Sequence, residues 1–348
     1  MGCPAIIVIA YNRAASLMRL LTSLDRAVYP KDKKVPLLIS IDKGDNDDVI
    51  EAAEGFNWRF GRKTVIKHNE NLGLKAHVLE CGEYVNSFDE IIVLEDDLYV
   101  APSFYKYARK ALEFTADDER TGGVSLYSHR LNVHVREPFE AIDDGYDNWY
   151  FQFASSWGQA YTKKQWNGFK EWYLLNGDMD LRSHDFPENV ALWSDSSWLK
   201  YYIKYLVETD KYFMYPRVSY TTNFTEEGTN EKSSACDFQV PLAGIVSRRF
   251  NFSRLDESRA VYDSFFENTA IDGKYTDLYG YKEIPEGRES FLSGAHHPYE
   301  VIRSYGRKLR PIDANIINDV EGNDFFLYDL TKSARAPKGN DASKVMYN

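Results

Sequence analysis

The chain has few cysteines and no long hydrophobic run. Its three cysteines, Cys3, Cys81 and Cys236, are far apart and form no CxxC pair, so the sequence excludes a disulfide framework and a structural zinc site. No segment approaches the roughly 20 apolar residues that a membrane-spanning helix needs, and the N-terminus shows no secretory signal pattern. We therefore expect a cytoplasmic protein. This expectation leaves open one form of membrane association, peripheral contact with the inner membrane face.

Basic charge is also scarce. The 348 residues carry 42 Lys and Arg against 53 Asp and Glu, a net charge of −11, and no basic cluster is suited to a phosphate backbone. We therefore expect no nucleic-acid partner. The composition, 43% hydrophobic and 27% charged, is typical of a folded globular protein.

Several motifs of common enzyme classes are missing. The chain contains no GxGxxG, no GxxxxGK[ST], no HExxH and no GxSxG. These absences argue against dinucleotide-dependent dehydrogenases, P-loop kinases, zinc proteases of the HExxH type and α/β-hydrolases.

The first hundred residues alternate β-branched runs with segments of helical period, which predicts an α/β fold with a mainly parallel sheet flanked by helices. We predict strands at Ala5–Ala10, Pro36–Ile41, Thr64–Lys67, Glu90–Leu94 and Gly123–Tyr127. We predict helices at Ala14–Arg26, Asp47–Ala53, Leu74–Asn86, Lys163–Leu175 and Ser196–Glu208, and one with Pro102 in its first turn. The segment from His129 to Thr162 shows no clear period, and the C-terminal residues predict a mixed extension with a strand at Asp324–Leu330.

Three consecutive carboxylates, Glu95, Asp96 and Asp97, follow the fourth predicted strand. In a parallel sheet the ligand site lies at the carboxyl ends of the strands. Crowded carboxylates become favourable when a hard cation sits among them, and Mg2+ or Mn2+ held by one or two carboxylates and a diphosphate is a usual arrangement. The alternative is a solvated acidic turn.

Polar residues after the other strands are candidate ligand contacts. Tyr11 and Arg13 follow the first strand, and the Arg13 guanidinium suits a phosphate, or otherwise a surface salt bridge. Asp42 follows the second strand and can accept a hydrogen bond from a uracil imide or a ribose hydroxyl, or cap a helix or turn. Lys75 follows the third strand and is a candidate phosphate contact.

Asp195 lies between Trp193 and Trp198 at the start of a predicted helix. An apolar aromatic surround would raise the pKa of this carboxylate and suit it to general-base work on an acceptor hydroxyl. The alternative is that Asp195 or Ser194 caps a helix that opens at Ser196.

Three segments carry a resemblance to a known family. They are AIIVIAYNRAASLMRLLTSL with LLISIDKGD, VLEDDLYVAPSFYKYARKAL with GGVSLYSHRLN, and SSWGQAYTKKQW with LWSDSSWL. Together they resemble the GT-A-fold glycosyltransferases around N-acetylglucosaminyltransferase I, over residues 4 to 230. The chain departs from that pattern where Ser194 separates Trp193 from Asp195, and where Asn12 replaces an acidic residue.

The resemblance implies a role for each candidate residue. Arg13 would contact the donor phosphate, Asp42 the uracil, and Glu95 and Asp96 the donor sugar and ribose. Asp97 would be the one protein ligand of Mn2+, or Mg2+. Asp195 would be the base of an inverting transfer, and Thr221–Asn230 would order over the bound donor.

The resemblance also implies a function and a domain plan. The expected activity is transfer of a sugar from a nucleotide-diphosphate donor, such as UDP-GlcNAc, to a glycan or lipid-linked sugar acceptor in surface polysaccharide synthesis. The alternatives are a sugar nucleotidyltransferase and a non-catalytic nucleotide or carbohydrate binder. We expect a GT-A domain at 1–235, with a nucleotide-sugar half at 1–128 and an acceptor half at 129–235, and a C-terminal extension of unknown role at 236–348.

Overall fold

A computed structural model describes residues 2–224, 237–244, 249–271 and 275–334 of the chain. The chain divides into two compact units, Met1–Phe266 and Glu267–Asn348. The division expected at 235/236 falls outside the described residues. A strand at Val261–Tyr262 pairs with the large sheet of the first unit, so that unit continues past the expected position. The division into donor and acceptor halves stays a prediction.

The first unit is built from short strands and helices. Its strands are β1 (Ala5–Ala10), β2 (Leu37–Ile41), β3 (Lys63–Lys67), β4 (Glu90–Glu95), β5 (Leu98–Val100), β6 (Thr121–Ser125), β7 (Leu131–Asn132), β8 (Glu137–Pro138), β9 (Asn148–Phe151), β10 (Gln159–Thr162), β11 (Tyr212–Pro216), β12 (Thr221–Asn223) and β13 (Val261–Tyr262). Its helices are α1 (Ala14–Arg26), α2 (Asp47–Gly55), α3 (Gly73–Gly82), α4 (Val85–Phe88), α5 (Phe104–Thr115), α6 (Lys163–Asn176), α7 (Glu188–Ala191) and α8 (Leu199–Glu208).

Within the described residues the main sheet has the order β13-β9-β11-β6-β10-β4-β1-β2-β3. Strands β4, β1, β2 and β3 are parallel. Strand β10 is antiparallel to both β4 and β6, so β6 runs in the direction of β4, and β11 is parallel to β6. The carboxyl ends of β1, β2, β4, β6 and β11 therefore share one edge, which we call the carboxyl edge. The predicted α/β fold with a large, mostly parallel sheet is confirmed.

The first βα units follow their local sequence closely. Strand β1 is buried along its whole length, as expected for a strand covered on both faces. Helix α1 has the predicted bounds, and its leucines are fully buried on one face: Leu17, Leu20, Leu21 and Leu24. The hydrophobic period of the sequence therefore predicts β1 and α1 with their observed bounds.

Other predicted elements need correction. The segment Leu74–Asn86 forms two helices, α3 and α4, rather than one. Pro102 lies outside α5, which begins at Phe104 with Ser103 as its N-cap. Helix α8 begins at Leu199 instead of Ser196.

The segment 129–162, which shows no period in the sequence, contains β9 and β10. Both strands are only four residues long and buried at every position. A short strand that is buried on both faces shows no alternation, so the sequence pattern hides it.

The second unit has a smaller sheet. It contains β14 (Thr276–Asp277), β15 (Ser290–Ser293), β16 (Tyr299–Tyr305), α9 (Asp313–Ile317) and β17 (Phe325–Ser333). The sheet order is β14-β15-β17-β16, and Leu278, Leu292 and Phe325 are among its buried core residues. Strand β17 confirms the strand predicted near Asp324–Leu330. No helix in the described part of the chain is long and apolar enough to span a membrane.

Candidate functional site

The carboxyl edge brings Arg13 against the acidic cluster. Arg13 follows β1, and Asp96 and Asp97 follow β4, which is the neighbouring strand. Arg13 Nη2 forms an ion pair with Asp96 Oδ1, and Arg13 Nη1 donates to Asp97 Oδ2 at 3.2 Å. Asp96 is only 3% exposed and also accepts from the Tyr11 backbone N–H. The sheet order therefore joins residues that lie more than 80 positions apart in the sequence.

Two of the crowded carboxylates, Glu95 and Asp96, hold protons more strongly than isolated ones. Burial, with repulsion from Asp97 and Asp96, raises the pKa of Glu95 to about 8. Burial raises the pKa of Asp96 to about 6, although the Arg13 guanidinium opposes this effect. Burial lowers the pKa of Arg13, but the two aspartates outweigh it and the net pKa is raised. The single positive charge of Arg13 therefore offsets only part of the negative charge of the three carboxylates.

Asp97 has an acceptor atom that no described residue satisfies. Its Oδ1 is buried and has no hydrogen-bond partner among the described residues. A buried unpaired carboxylate oxygen is costly, and oxygen ligands of this kind are what Mg2+ and Mn2+ prefer. The described part of the chain contains no group of three or more His, Cys, Asp or Glu side chains arranged around a common metal position. The donor set fits a cation that one protein carboxylate holds together with ligand oxygens.

Asp42 is used differently. Its Oδ1 accepts from the backbone N–H of Lys43 and of Leu72, both at 2.8 Å, and its Oδ2 accepts from Gly73 N–H at 2.9 Å. The carboxylate is buried, with 4% of the residue exposed. Asp42, at the end of β2, therefore caps the N-terminus of α3. These contacts match the alternative role predicted from the sequence, in which Asp42 caps a helix or turn.

Tyr11 is held at the same edge. Asn46 Nδ2 donates to the Tyr11 carbonyl at 2.5 Å and to the Asp42 carbonyl at 2.8 Å. A Cβ on Gly44 would lie only 2.7 Å from the Tyr11 ring, so the ring lies directly over this loop. The segments after β1 and β2 are thus tied together.

Asp195 lies in a different environment from the one expected. Its side chain is fully exposed, and Oδ1 lies 3.4 Å from Lys200 Nζ. Trp198 is buried at 2% exposure, whereas Trp193 is half-buried, so the two indoles do not enclose the carboxylate. The expected apolar surround is wrong, because the turn directs Asp195 to solvent. Its role as base stays a prediction.

Lys200 is the residue of this region that the sequence did not single out. It is 5% exposed, and its Nζ donates to the Trp193 carbonyl at 2.8 Å as well as facing Asp195. A lysine is rarely buried unless its charge is paired. Its position within the apolar sequence Trp198–Ile203 is the signal that could have identified it.

Lys75 connects the two parts of the site. Its Nζ lies 5.2 Å from the centre of the Tyr201 ring, and Lys200 Nζ lies 5.6 Å from the same ring. The start of α3, which Asp42 caps, is therefore next to the start of α8, and Asp195 lies in the turn that precedes α8. The predicted site residues lie at one edge of the first unit.

The segment 221–230 starts beside β5 and reaches Asp97 at Phe224. Residues Thr221–Asn223 form β12, which pairs with β5, and Phe224 N–H donates to the Asp97 carbonyl at 2.8 Å. Residues 225–230, where most of the expected donor loop falls, lie outside the described residues.

Comparison with known proteins agrees with the resemblance. Residues 5–148 match the family model described as glycosyl transferase family 2. An alpha-1,3-mannosyl-glycoprotein 2-beta-N-acetylglucosaminyltransferase of Arabidopsis thaliana is 26% identical over 249 residues, which cover 66% of this chain and 49% of that protein. The chain therefore spans about half the length of this curated relative. These matches confirm that the chain resembles glycosyltransferases.

Solved structures give weaker matches. The S. aureus TarS 1–349 complex with UDP-GlcNAc has a TM-score of 0.43 and 13% identity, covering 65% of this chain and 60% of that one. The mannosyltransferase PcManGT from Pyrobaculum calidifontis, in complex with GDP-Man and Mn2+, has a TM-score of 0.34 and 18% identity, covering 47% and 45%.

The raised pKa of Glu95 predicts a pH-dependent stability of the metal-free protein. The folded chain keeps a proton up to about pH 8, whereas the unfolded chain loses it near the ordinary value, so the unfolded state binds fewer protons between these limits. The free energy of unfolding should therefore fall as pH rises from about 5 to about 8. Glu95→Gln should reduce that fall by roughly 2–4 kcal/mol. Urea unfolding in EDTA at both pH values measures it. The exposed Glu113→Gln variant is the control, and an equal fall in all three proteins would contradict the prediction.

The capping role of Asp42 predicts a loss of stability without any nucleotide. An asparagine amide cannot accept all the N–H bonds that the two carboxylate oxygens accept, so Asp42→Asn should lower the free energy of unfolding by about 1–3 kcal/mol. The exposed Asp45→Asn variant in the same loop should change it by less than about 0.5 kcal/mol. Denaturant unfolding compares them. Equal stability of both variants would show that the cap contributes little.

Proposed function

We propose that this chain is a metal-dependent inverting glycosyltransferase. It would move a sugar from a nucleotide-diphosphate donor, a UDP-sugar such as UDP-GlcNAc, to a hydroxyl of a glycan or lipid-linked sugar acceptor. The observation that carries the proposal is the unsatisfied Oδ1 of Asp97 in a carboxylate cluster that Arg13 compensates only in part. The family match over residues 5–148 supports it. Surface polysaccharide synthesis and a cytoplasmic location remain predictions.

The diphosphate would bind at the end of β4. Asp97 would hold Mn2+, or Mg2+, which neutralises negative charge on the leaving diphosphate when bound. Arg13 already has its guanidinium at the same carboxylates, so its donors lie where diphosphate oxygens would arrive, and Lys75 at the start of α3 adds a second cation. Glu95 and Asp96 would face the donor sugar and ribose.

The nucleoside would bind between the ends of β1 and β2. A carboxylate has about four lone-pair positions, and the N–H donors of Lys43, Leu72 and Gly73 occupy three at Asp42. One position is left to accept from a uracil imide or a ribose hydroxyl. Tyr11, packed over Gly44, would support the base. The cap and the nucleotide contact are therefore compatible in one side chain.

Asp195 would act as the general base. The acceptor O–H proton passes to the Asp195 carboxylate, the acceptor oxygen bonds to the anomeric carbon, and the bond from that carbon to the diphosphate oxygen breaks with its electron pair. Attack from the face opposite the diphosphate inverts the anomeric centre. Lys200 Nζ lies 3.4 Å from Asp195 Oδ1 and donates to the Trp193 carbonyl, so it fixes the turn that carries the base.

The first test of this function is metal-dependent donor binding. A donor that binds only the folded state raises stability by about 2.7 kcal/mol at 100 times its dissociation constant. We expect one UDP-sugar among UDP-, GDP- and TDP-sugars to produce a thermal shift that requires Mn2+ and disappears in Asp97→Asn. Asp45→Asn should keep the shift. A full Mn2+-dependent shift in Asp97→Asn would place the metal elsewhere.

The second test separates catalysis from binding. Asp195→Asn should keep the donor-induced thermal shift and lose about 10²–10⁴-fold in transfer rate, because only proton removal is affected. Asp178→Asn is the matched control, since Asp178 is exposed and also lies near Tyr201. Transfer of radiolabelled sugar to an acceptor panel measures the rate. If Asp178→Asn loses the rate and Asp195→Asn keeps it, the base is misassigned.

A further inference from the structure

Arg13 is bonded to the carboxylate that would hold the proposed metal. Its Nη1 donates to Asp97 Oδ2 at 3.2 Å, and its Nη2 forms an ion pair with Asp96 Oδ1. The other oxygen of Asp97, Oδ1, is buried and has no hydrogen-bond partner among the described residues. The Asp97 carboxylate therefore has one oxygen on the guanidinium and one oxygen left for a further positive group.

The two contacts of the Arg13 guanidinium differ in burial. The side chain of Asp96 is 5% exposed and that of Asp97 is 21% exposed, while Arg13 itself is 25% exposed. Asp96 also accepts from the Tyr11 backbone N–H. Ion pairs that solvent reaches are weaker than enclosed ones. The contact with Asp97 is therefore the easier of the two to exchange for another partner.

The guanidinium also decides which ligands the site can accept. A divalent cation alone at Asp97 would lie beside the positive charge of Arg13, and like charges at such a short distance repel each other. A diphosphate brings negative charge of its own, and an arginine binds phosphate oxygens well. The site therefore favours a cation that arrives with a diphosphate over a cation that arrives alone.

We propose that Arg13 is an internal counter-ion that keeps free Mn2+ or Mg2+ out of the site, so that the ligand is the complex of the metal with a nucleotide diphosphate. The proposal rests on the proposed function and names the form in which its donor binds. On binding, Arg13 Nη1 leaves Asp97 Oδ2 for a diphosphate oxygen, which frees both oxygens of Asp97. Arg13 Nη2 keeps its pair with Asp96.

This exchange couples the two ligands thermodynamically. Each ligand raises the affinity of the other by the same factor, because binding free energies are reciprocal. The coupling factor is the Kd of Mn2+ alone divided by its Kd in saturating UDP. If Arg13 only contacted phosphate, its removal would leave the affinity for Mn2+ alone unchanged. A counter-ion, in contrast, weakens that affinity as long as it is present.

Binding of Mn2+ alone to the full chain tests the counter-ion directly. The electron paramagnetic resonance signal of aqueous Mn2+ falls when the ion binds to protein, so a titration without nucleotide gives Kd. Arg13→Met, which removes the charge, should bind Mn2+ about tenfold or more tightly than the parent chain. Arg13→Lys keeps a positive charge and should stay within about threefold of the parent.

A double variant and UDP locate the effect. Adding Asp97→Asn to Arg13→Met should remove the gain in Mn2+ affinity, because Asp97 holds the ion that Arg13 had excluded. In saturating UDP, the coupling factor of Arg13→Met should be about tenfold or more below that of the parent.

Folding of the variants is checked separately. Arg13→Met leaves buried Asp96 without its ion-pair partner, so its melting temperature should fall. Mn2+ alone should raise that melting temperature and leave the parent unchanged at the same concentration, because the cation supplies the missing charge. Arg13→Gln has an amide that can still donate to Asp96 but carries no charge, so it gives the same titration if Arg13→Met does not fold.

A second arginine provides the control. Arg26 is exposed and ends α1, a helix of 13 residues, so it lies about 20 Å from Arg13 along the helix. Arg26→Met removes the same charge from the chain without touching the site. It should leave the Kd of Mn2+ unchanged, both alone and in UDP.

The outcomes separate this proposal from the proposed function. If the uncharged Arg13 variants bind Mn2+ alone no more tightly than the parent, the counter-ion is overturned, while a Mn2+-dependent shift with a UDP-sugar would still support the transferase. If only the Arg13 variants bind Mn2+ and no nucleotide sugar binds the parent, the counter-ion is supported and the proposed donor site is refuted. Absence of Mn2+ binding in every protein and mixture overturns both.

Discussion

The pairing of Arg13 with the carboxylates after β4 is the interaction on which the site depends. Three acidic residues at the end of a buried strand repel one another and lose hydration, and a buried charge is tolerated only when it is paired. Because β1 and β4 are neighbours in the sheet, the residue that follows β1 is the one placed to supply the positive charge. The order of the strands in the sheet therefore determines which positive charge compensates the carboxylates of the site.

Backbone groups satisfy the other buried carboxylate at this edge. Asp42 accepts from the adjacent Lys43 N–H and from the Leu72 and Gly73 N–H groups at the start of α3, where a helix presents free donors and a favourable dipole. It therefore needs no cation, unlike the residues after β4. Two ways of burying negative charge stand side by side: backbone N–H groups bond both oxygens of Asp42, whereas one oxygen of Asp97 has no partner among the described residues. That difference identifies where a cation belongs.

The sequence predicts best those strands and helices whose bounds depend only on the local hydrophobic pattern. Strand β1 and helix α1 have their predicted bounds, and the carboxyl-edge rule brought Arg13, Asp42 and Asp97 to one edge. The strands β9 and β10 were missed because short strands buried on both faces show no period. The surround of Asp195 was predicted wrongly because flanking tryptophans in sequence do not fix which way a turn points. Lys200 could not be assigned without the contact that it makes.

The exposure of Asp195 has a consequence for the proposed mechanism. A carboxylate in water is a weak base, since its charge is well solvated and its pKa is low. Asp195 is fully exposed, and its one ion-pair partner among the described residues is Lys200, 3.4 Å away, so the described residues do not shield the carboxylate from water. An acceptor bound at Asp195 would cover the carboxylate and displace its water, and a carboxylate that loses hydration is a stronger base. On this argument the acceptor itself completes the base, and proton removal is strongest when the correct sugar is in place.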